Sequence, residues 1–292
     1  MNLVVPKQKQ GHRQSDYDQL VEESLNGSST ALEKLCELMR PLIYNLCLKM
    51  VLYPPEAEDL TQEILIKMVT KLSQFDSSKA SLTTWVYTIT RNTIFDQKPG
   101  KLESGMTSLE VHGQELDNIL DQDFKAQTPE EKLLVKEANV GCLLGMILCL
   151  ERQQRLVFIL GEIMGVDSKV GSKITGHSPE NFRQKLSRAR KDIYNFMNEK
   201  CGLVNKENPC RCHKKTQGFI KAGWVNPENI QFADHHYKNA KIFSEEYAPE
   251  LADFEKENRQ ILQNLPDYDT TEKVKLLEAL LSNKEIKEQF RL

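Results

Sequence analysis

Three cysteines and a histidine lie within 13 residues in the last third of the chain, and they are the strongest candidate metal ligands. Cys201, Cys210, Cys212 and His213 offer three thiols and one imidazole. Thiolate and imidazole are the ligands that structural zinc prefers. Their spacing, C-x8-C-x-C-H, is not a common zinc-finger spacing, so a redox-sensing cluster and unliganded thiols stand as alternatives. The sequence predicts no required cofactor beyond this one candidate zinc ion.

The other four of the seven cysteines have a different setting. Cys36, Cys47, Cys142 and Cys149 lie inside apolar helical patterns, where a free cysteine behaves as a small hydrophobic residue. An odd number of cysteines scattered over a long chain is not a disulfide framework. We therefore expect free thiols.

Catalytic chemistry finds little support in the sequence. A metal-dependent nuclease would need converging carboxylates, or a base beside an activated water. The run Asp234-His235-His236 resembles part of a metallophosphoesterase motif, but no strand pattern surrounds it. We therefore predict that the protein is not an enzyme.

A basic stretch stands out on a chain whose net charge is −3. Residues 179–215 carry ten basic and four acidic side chains. Just before and within this stretch, a short helical pattern ends at Gly176, and Ser178 and Pro179 are typical of the start of a longer helix. A short helix, a tight glycine turn and a basic helix form the layout of a helix-turn-helix, which places its second helix in the DNA major groove.

The side chains of this second helix divide into three predicted groups. Phe182, Leu186 and Ala189 are predicted to face the core, and Arg188 and Arg190 to contact phosphates. The N-terminal residues are predicted to reach base edges. With the capping residue and the two arginines predicted to contact phosphates, the full DNA-binding set is Ser178, Glu180, Asn181, Arg183, Gln184, Lys185, Arg188 and Arg190.

A second organised stretch, residues 54–96, reads as two amphipathic helices joined by a polar loop. Apolar residues recur at helical spacing from Ala57 to Leu72 and again from Leu82 to Thr93. Pro54 and Pro55 stand where a helix tolerates a missing N–H. Trp85 belongs to the second apolar stripe, which favours a core position over a direct role as a wedge in DNA.

The amino-acid sequence of this stretch resembles region 2 of bacterial RNA polymerase sigma factors, most closely the extracytoplasmic-function (ECF) type. The matching residues are Ala57-Glu58-Asp59-Leu60, Gln62-Glu63, Phe75-Asp76 and Trp85 to Asn92. Leu150 to Phe158 and His177 to Arg190 resemble sigma region 4 in the same way, although the usual proline before the Arg-Gln pair is missing.

The resemblance implies three binding surfaces. An acidic helix face would bind core RNA polymerase through Glu58, Asp59, Gln62 and Glu63. The loop and the face of the following helix would hold the melted −10 element through Ser77, Ser78, Lys79, Ser81, Trp85, Tyr87, Thr88, Arg91 and Asn92, since unpaired bases need stacking surfaces and polar donors. The second helix of the helix-turn-helix would read the −35 element.

We therefore predict an all-α chain of two small helical domains joined by a linker, followed by an extension. Residues 1–96 form region 2, 97–130 the linker, 131–199 region 4, and 200–292 an extension with a Cys-rich loop and acidic helices. Within them, residues 1–14 are predicted to be a tail and a helix to begin near Ser15 or Asp16. Thr128 to Glu131 is a capping-box signal that opens region 4.

The expected partners are core RNA polymerase, promoter DNA, and an anti-sigma factor or the chain's own acidic extension folded back on its basic reading helix. The longest apolar run, residues 140–150, is too short for a membrane span. The N-terminus has no signal-peptide pattern, so we expect a cytoplasmic protein. The alternative function is a stand-alone helix-turn-helix regulator, which would not need the residue 58–92 block.

Overall fold

The computed structural model describes residues 7–105, 108–122, 124–233 and 254–263, together with Leu265 and Asp267. The Asp234-His235-His236 run and much of the segment predicted to form acidic helices lie outside these residues. Every regular element in these ranges is helical, apart from an isolated bridge between Cys201 and Cys210. The all-α prediction is confirmed.

Four helices form the first part of the chain. They are α1 (Lys7–Leu25), α2 (Ser29–Val51), α3 (Pro54–Thr70) and α4 (Leu82–Asp96). Helix α1 begins at Lys7, earlier than the predicted start near Ser15. The Lys, Gln and Arg residues between these two positions are good helix formers, which explains the earlier start. The helix ends at Leu25, just before Asn26 and Gly27, and Gly27 has a φ of 94°.

Local capping explains where these helices begin. The Ser28 hydroxyl accepts from the Ala31 N–H and the Ser81 hydroxyl from the Thr84 N–H, at 3.3 and 3.2 Å. Pro54 and Pro55 open α3 as predicted. Pro41 stays inside α2, where the Asn45 amide donates to its carbonyl at 2.8 Å.

Helices α2, α3 and α4 bury one shared apolar core. Both predicted stripes lie in it, since Ala57, Leu60 and Ile64 on α3 and Leu82 and Val86 on α4 are all fully or almost fully buried. Burying side chains of this size contributes about 1.5–3 kcal/mol each. The core holds α3 and α4 in a fixed relation, with the loop between them at the surface.

The predicted linker holds two short helices, α5 (Lys101–Gly105) and α6 (Leu109–Asn118). Ser108 caps α6 by accepting from the Val111 N–H at 3.2 Å. The buried side of α6 is formed by His112, Gly113 and Leu116. A stripe that contains a histidine and a glycine has no apolar period, which is why the pattern did not reveal the helix.

Residues 129–200 form the predicted helical unit. It contains α7 (Pro129–Leu148), α8 (Arg152–Phe158), a π-helical turn at Ile159–Ile163, α9 (Ser168–Thr175) and α10 (Pro179–Lys200). The capping box between Thr128 and Glu131 is present. Gly176 has a φ of 72° and Ser178 caps α10, so the helix-turn-helix layout is confirmed.

The extension packs back onto the preceding helices. Helix α11 (Cys212–Lys221) contacts α7, and α12 (Phe254–Gln263) contacts α10 and the π-helical turn. The Glu137 carboxylate of α7 accepts from the backbone N–H groups of Gln231, Phe232 and Ala233, at 2.7–2.8 Å. Among the described residues, no helix is long and apolar enough to cross a membrane.

Candidate nucleic-acid and polymerase interfaces

The outer face of α10 presents most of the residues predicted to read duplex DNA. Phe182, Leu186 and Ala189 are buried, which fixes the opposite face towards solvent. The Ser178 hydroxyl accepts from the Asn181 N–H at 3.1 Å, which holds the first turn in shape. The exposed side chains of the predicted set are Ser178, Glu180, Asn181, Arg183, Gln184 and Arg188, and Lys185 is half-buried.

Arg183 lies at the centre of this face. Its guanidinium donates to Glu180 at 2.8 Å and to the Ser168 hydroxyl of α9 at 3.0 Å. An exposed ion pair contributes little to stability, about 0–1 kcal/mol. Arg183 can therefore exchange these partners for a base or a phosphate at small cost.

Arg190 does not share this face. Its Nε donates to Glu162, a carboxylate of the π-helical turn that is completely buried. In this conformation the Arg190 guanidinium is engaged in an internal ion pair, and its contact with a DNA phosphate stays a prediction.

The loop between α3 and α4 exposes Ser77, Ser78 and Lys79. The Asp76 carboxylate accepts from the Ser78 N–H at 3.0 Å and from its hydroxyl at 2.6 Å, and it pairs with Lys79 at 2.9 Å. The hydrogen bond from the Ser78 hydroxyl and the contact with Lys79 lower the pKa of Asp76 to about 2. The loop is an ordered polar turn that keeps its shape by its own hydrogen bonds.

Helix α4 presents a smaller polar face than predicted. Arg91 and Asn92 lie at the surface and hydrogen-bond to each other at 2.8 Å, with the Arg91 guanidinium over the Phe95 ring. Trp85 is half-buried and packs on Phe75, with ring centroids 5.5 Å apart.

Tyr87 was expected on the exposed face, and this was wrong, because its side chain is only 8% exposed. Burial raises the pKa of its hydroxyl. Thr88, which is half-buried, donates to the Thr84 carbonyl at 2.9 Å, and Ser81 is used as the cap of α4.

The acidic face of α3 is partly engaged within the protein. Glu58 pairs with Arg40 at 2.5 Å, and Glu63 pairs with Lys67 at 2.6 Å and accepts from the Gln97 amide. Gln62 is half-buried and Asp59 is exposed. Asp59 is thus the most accessible of the four residues predicted to bind polymerase.

The loop and α4 face the helix-turn-helix directly. Helix α9 packs along α4. The Lys173 ammonium of α9 donates to the Lys79 carbonyl at 2.8 Å. At the turn, a Cβ added to Gly176 would stand 3.9 Å from Arg91 Nη2. The two surfaces predicted to read DNA therefore lie side by side in this conformation.

A buried carboxylate, Glu103 of α5, joins the two halves of the molecule. Arg152 contacts it through two nitrogens at 2.6 and 2.8 Å, and Arg155 contacts it at 2.7 Å. Burial acts to raise the pKa of Glu103, but the two guanidinium groups hold it below its usual value.

The same two arginines also bind main-chain oxygens of the first domain. Arg155 donates to the Met50 carbonyl at 2.6 Å, and Arg152 donates to the Gln97 carbonyl at 2.7 Å. A buried charge that loses its partner is costly, typically about 3–5 kcal/mol. These contacts therefore resist separation of the halves.

Glu162 forms a second centre of contacts. Its carboxylate accepts from Tyr194 at 2.5 Å and from Arg259 of α12 at 2.9 Å, and its carbonyl accepts from Gln263 at 2.9 Å. Asp267 pairs with the buried Lys49 of α2 at 3.0 Å. Residues 259–267 of the extension thus contact both halves of the molecule.

Sequence reasoning did not identify Glu103, Glu137 or Glu162 as functional. Glu162 stands between apolar neighbours in the run Leu160-Gly-Glu-Ile163, and an acid on an apolar stripe is a signal that could have been used. Glu103 lies in a polar segment where nothing distinguishes it from a solvated acid.

The predicted metal ligands do not form the predicted set. His213 is exposed on the first turn of α11. A fourth cysteine, Cys142 of α7, lines a cavity with Cys201, Cys210 and Cys212 instead. Over the described ranges, no three His, Cys, Asp or Glu side chains stand close enough to hold a metal ion as placed.

Comparison with known proteins agrees with the resemblance of the first domain. A family model described as sigma-70 region 2 matches residues 35–98. The ECF RNA polymerase sigma factor SigW of Bacillus subtilis (strain 168) is 28% identical over 95 residues, which are 32% of this chain and 50% of that protein. The chain thus spans about half the length of this curated relative.

Among solved structures, the sigma factor RpoE in complex with the anti-sigma factor NepR from Bartonella quintana is similar at 20% identity and a TM-score of 0.36. The match covers 55% of this chain and 92% of that one. The region 2 match includes most of α2 and all of α3 and α4. Residues 35–98 of this chain are therefore similar to sigma-70 region 2, and the curated relative that matches is a sigma factor of the extracytoplasmic-function type.

Proposed function

We propose that this protein binds core RNA polymerase and directs it to promoters, without catalysis of its own. The observation that carries the proposal is the region 2 match over residues 35–98, which contains both the acidic face of α3 and the polar surface of α4. In this proposal α3 binds polymerase around Asp59. The Ser77–Lys79 loop, Trp85, Arg91 and Asn92 hold the melted −10 element, and the exposed face of α10 reads the −35 element.

The proposal includes a closed resting conformation. Helix α9 covers part of α4, and Lys173 is bonded to the loop that would hold single-stranded DNA. Unpaired bases need open stacking and hydrogen-bonding surfaces, so the two halves must separate before −10 DNA binds. Polymerase supplies the binding energy for this separation.

The C-terminal extension acts as an internal restraint on that opening. It contacts the helix-turn-helix half through Arg259 and Gln263 and the first half through Asp267. A ligand or partner that binds better to the released extension would shift the equilibrium towards the open form. The extension thus supplies within one chain the restraint that an anti-sigma factor supplies as a separate protein.

Run-off transcription with purified core polymerase tests the proposed function. The full chain should produce a transcript that core enzyme alone does not. Arg183→Ala should weaken promoter binding by about 1–3 kcal/mol, the range for losing a specific base contact, while recovery with core polymerase is unchanged. Lys191→Ala, at an exposed position of the same helix, is the matched control.

Two outcomes would contradict the proposal. Candidate promoters can be selected from random DNA by binding. If none of them gives a specific transcript, the protein does not act as a sigma factor. Tight duplex binding without polymerase would favour the stand-alone helix-turn-helix regulator instead.

A further inference from the structure

Four cysteines from two separate segments, helix α7 and residues 201–212, meet at one small cavity. Cys142 comes from the middle of α7, Cys201 from the end of α10, Cys210 from the following loop, and Cys212 from the first residue of α11. The cavity measures about 30 Å³ and is otherwise lined largely by apolar side chains. All four cysteines are free thiols and partly buried.

The loop that carries three of these cysteines is held in a defined shape. Its two ends meet at the bridge between Cys201 and Cys210. The Asn208 amide donates to the Asn198 carbonyl at 2.8 Å, and the Arg211 guanidinium donates to the carbonyls of Cys210 and Lys206, at 2.9 and 2.6 Å.

Little apolar surface is available to stabilise this loop. From residue 201 to 212 the aliphatic side chains are Leu203 and Val204, and Leu203 is exposed. Small segments that cannot bury enough apolar surface commonly gain their stability from a metal ion or a covalent cross-link. The ordered loop around four thiols therefore indicates such a cross-link.

Two polar neighbours favour thiolates at this position. The Asn139 amide donates to Cys212 Sγ at 3.3 Å, and an N–H bond to sulfur is the kind of outer contact that orients a metal ligand. The side chain of Lys215 lines the same cavity, and its ammonium, which donates to the Leu116 and Ile119 carbonyls and pairs with Asp121, adds a positive charge near the thiols.

We propose that Cys142, Cys201, Cys210 and Cys212 bind one structural Zn²⁺ as four thiolates, which joins α7 to the loop before α11. Each thiol releases one proton to solvent on binding, and no oxidation occurs. Among the described residues no three of the thiols stand close enough to hold the ion as placed, so metal binding requires them to move together around the cavity. His213 is not a ligand in this proposal, because its side chain is exposed.

Metal analysis of the purified full chain tests the proposal. We expect one zinc per chain, and cobalt substitution should give the sulfur-to-cobalt charge-transfer band of a tetrahedral thiolate site. Cys142→Ser should lower the zinc content at least tenfold. His213→Ala and Cys149→Ser should keep it, since His213 is exposed and Cys149 lies outside the cavity lining.

A measurement on the unmodified chain tests the proposal even if the Cys142 variant misfolds. Titration with a mercurial reagent should release zinc in step with the reaction of four thiols. Zinc-free protein with four free thiols, or a disulfide between Cys201 and Cys210 found by mass spectrometry, would overturn the proposal. Loss of zinc in His213→Ala with retention in Cys142→Ser would overturn it as well.

Discussion

His112 is a buried imidazole without a hydrogen-bond partner on either ring nitrogen. It stacks on Trp224 at a centroid distance of 5.8 Å and packs against Phe196 at 5.9 Å. Burial lowers its pKa to about 4. While the ring is neutral, it therefore packs as an apolar side chain between α6, α10 and the extension.

This burial predicts an acid-sensitive contact. Below about pH 6.5, the ordinary histidine pKa, the unfolded chain binds a proton that the folded chain refuses until about pH 4. The free energy of unfolding should therefore fall as the pH drops through this window, by at most about 1.4 kcal/mol per pH unit from this residue. His112→Phe should remove that part of the pH dependence, as measured by urea unfolding at several pH values.

His213→Phe is the control, because it removes an exposed imidazole. If the free energy of unfolding depends on pH equally in the unmodified chain and in His112→Phe, the burial of a neutral His112 is not the source of the acid sensitivity.

Single residues show where sequence reasoning ends. Phe182 and Leu186 were assigned to the core from helical periodicity, and both are buried. Tyr87 was placed on the wrong side, because its side chain is buried near Asp267 and the α1 residue Tyr17, neighbours that no pattern within α4 reveals. Arg190 was assigned to DNA because its partner, Glu162, lies 28 residues away in the sequence. Long-range pairs of this kind need the fold before they can be predicted.

At the scale of elements, helix starts with a hydroxyl cap were predictable, whereas the start of α1 was not. Ser28, Thr128 and Ser178 act as caps because a hydroxyl accepts from the backbone two or three residues on, an interaction that is complete within one turn. Helix α6 escaped prediction because its buried face depends on α10 and on Trp224 rather than on its own apolar residues.

Helix α3 carries the element-scale prediction. Asp59 is exposed, whereas Glu58 and Glu63 are already paired within the chain. Asp59→Lys should lower co-purification with core polymerase by about tenfold or more, because like-charge contacts at an interface cost several kcal/mol. Affinity recovery at low and high salt measures the effect.

Glu22→Lys makes the same charge change on α1, at another exposed position, and should leave recovery unchanged. If Asp59→Lys is recovered as well as this control, α3 is not the polymerase-binding helix.

The molecule as a whole is closed by contacts that cross between its halves. Arg259 of α12 reaches Glu162 from the outside of the core and is itself partly exposed. Removing it leaves Glu162 paired with Arg190 and Tyr194, so the fold should be retained. Arg259→Ala should therefore weaken the extension's hold without unfolding the chain.

We expect Arg259→Ala to raise run-off transcription at limiting polymerase several-fold, because the closed form loses about 1–3 kcal/mol of charged hydrogen bonding. Protease cleavage between the extension and the core should speed up in parallel. Gln260→Ala, at the exposed neighbouring position on α12, is the matched control. Unchanged transcription with faster cleavage would show that the extension is held at this point but does not restrain opening.

The contacts of Arg152 and Arg155 have a consequence for how the chain can vary. Both guanidinium groups recognise carbonyl oxygens of residues 50, 94 and 97, not the side chains there. Every amino acid offers the same carbonyl, so substitutions at these three positions leave the acceptors in place. Glu103 is the exception, since its side-chain carboxylate forms ion pairs with both arginines. Substitution of Gln97 should therefore be tolerated and substitution of Glu103 should not, whereas Met50 and Ile94 are limited by their own burial in the core.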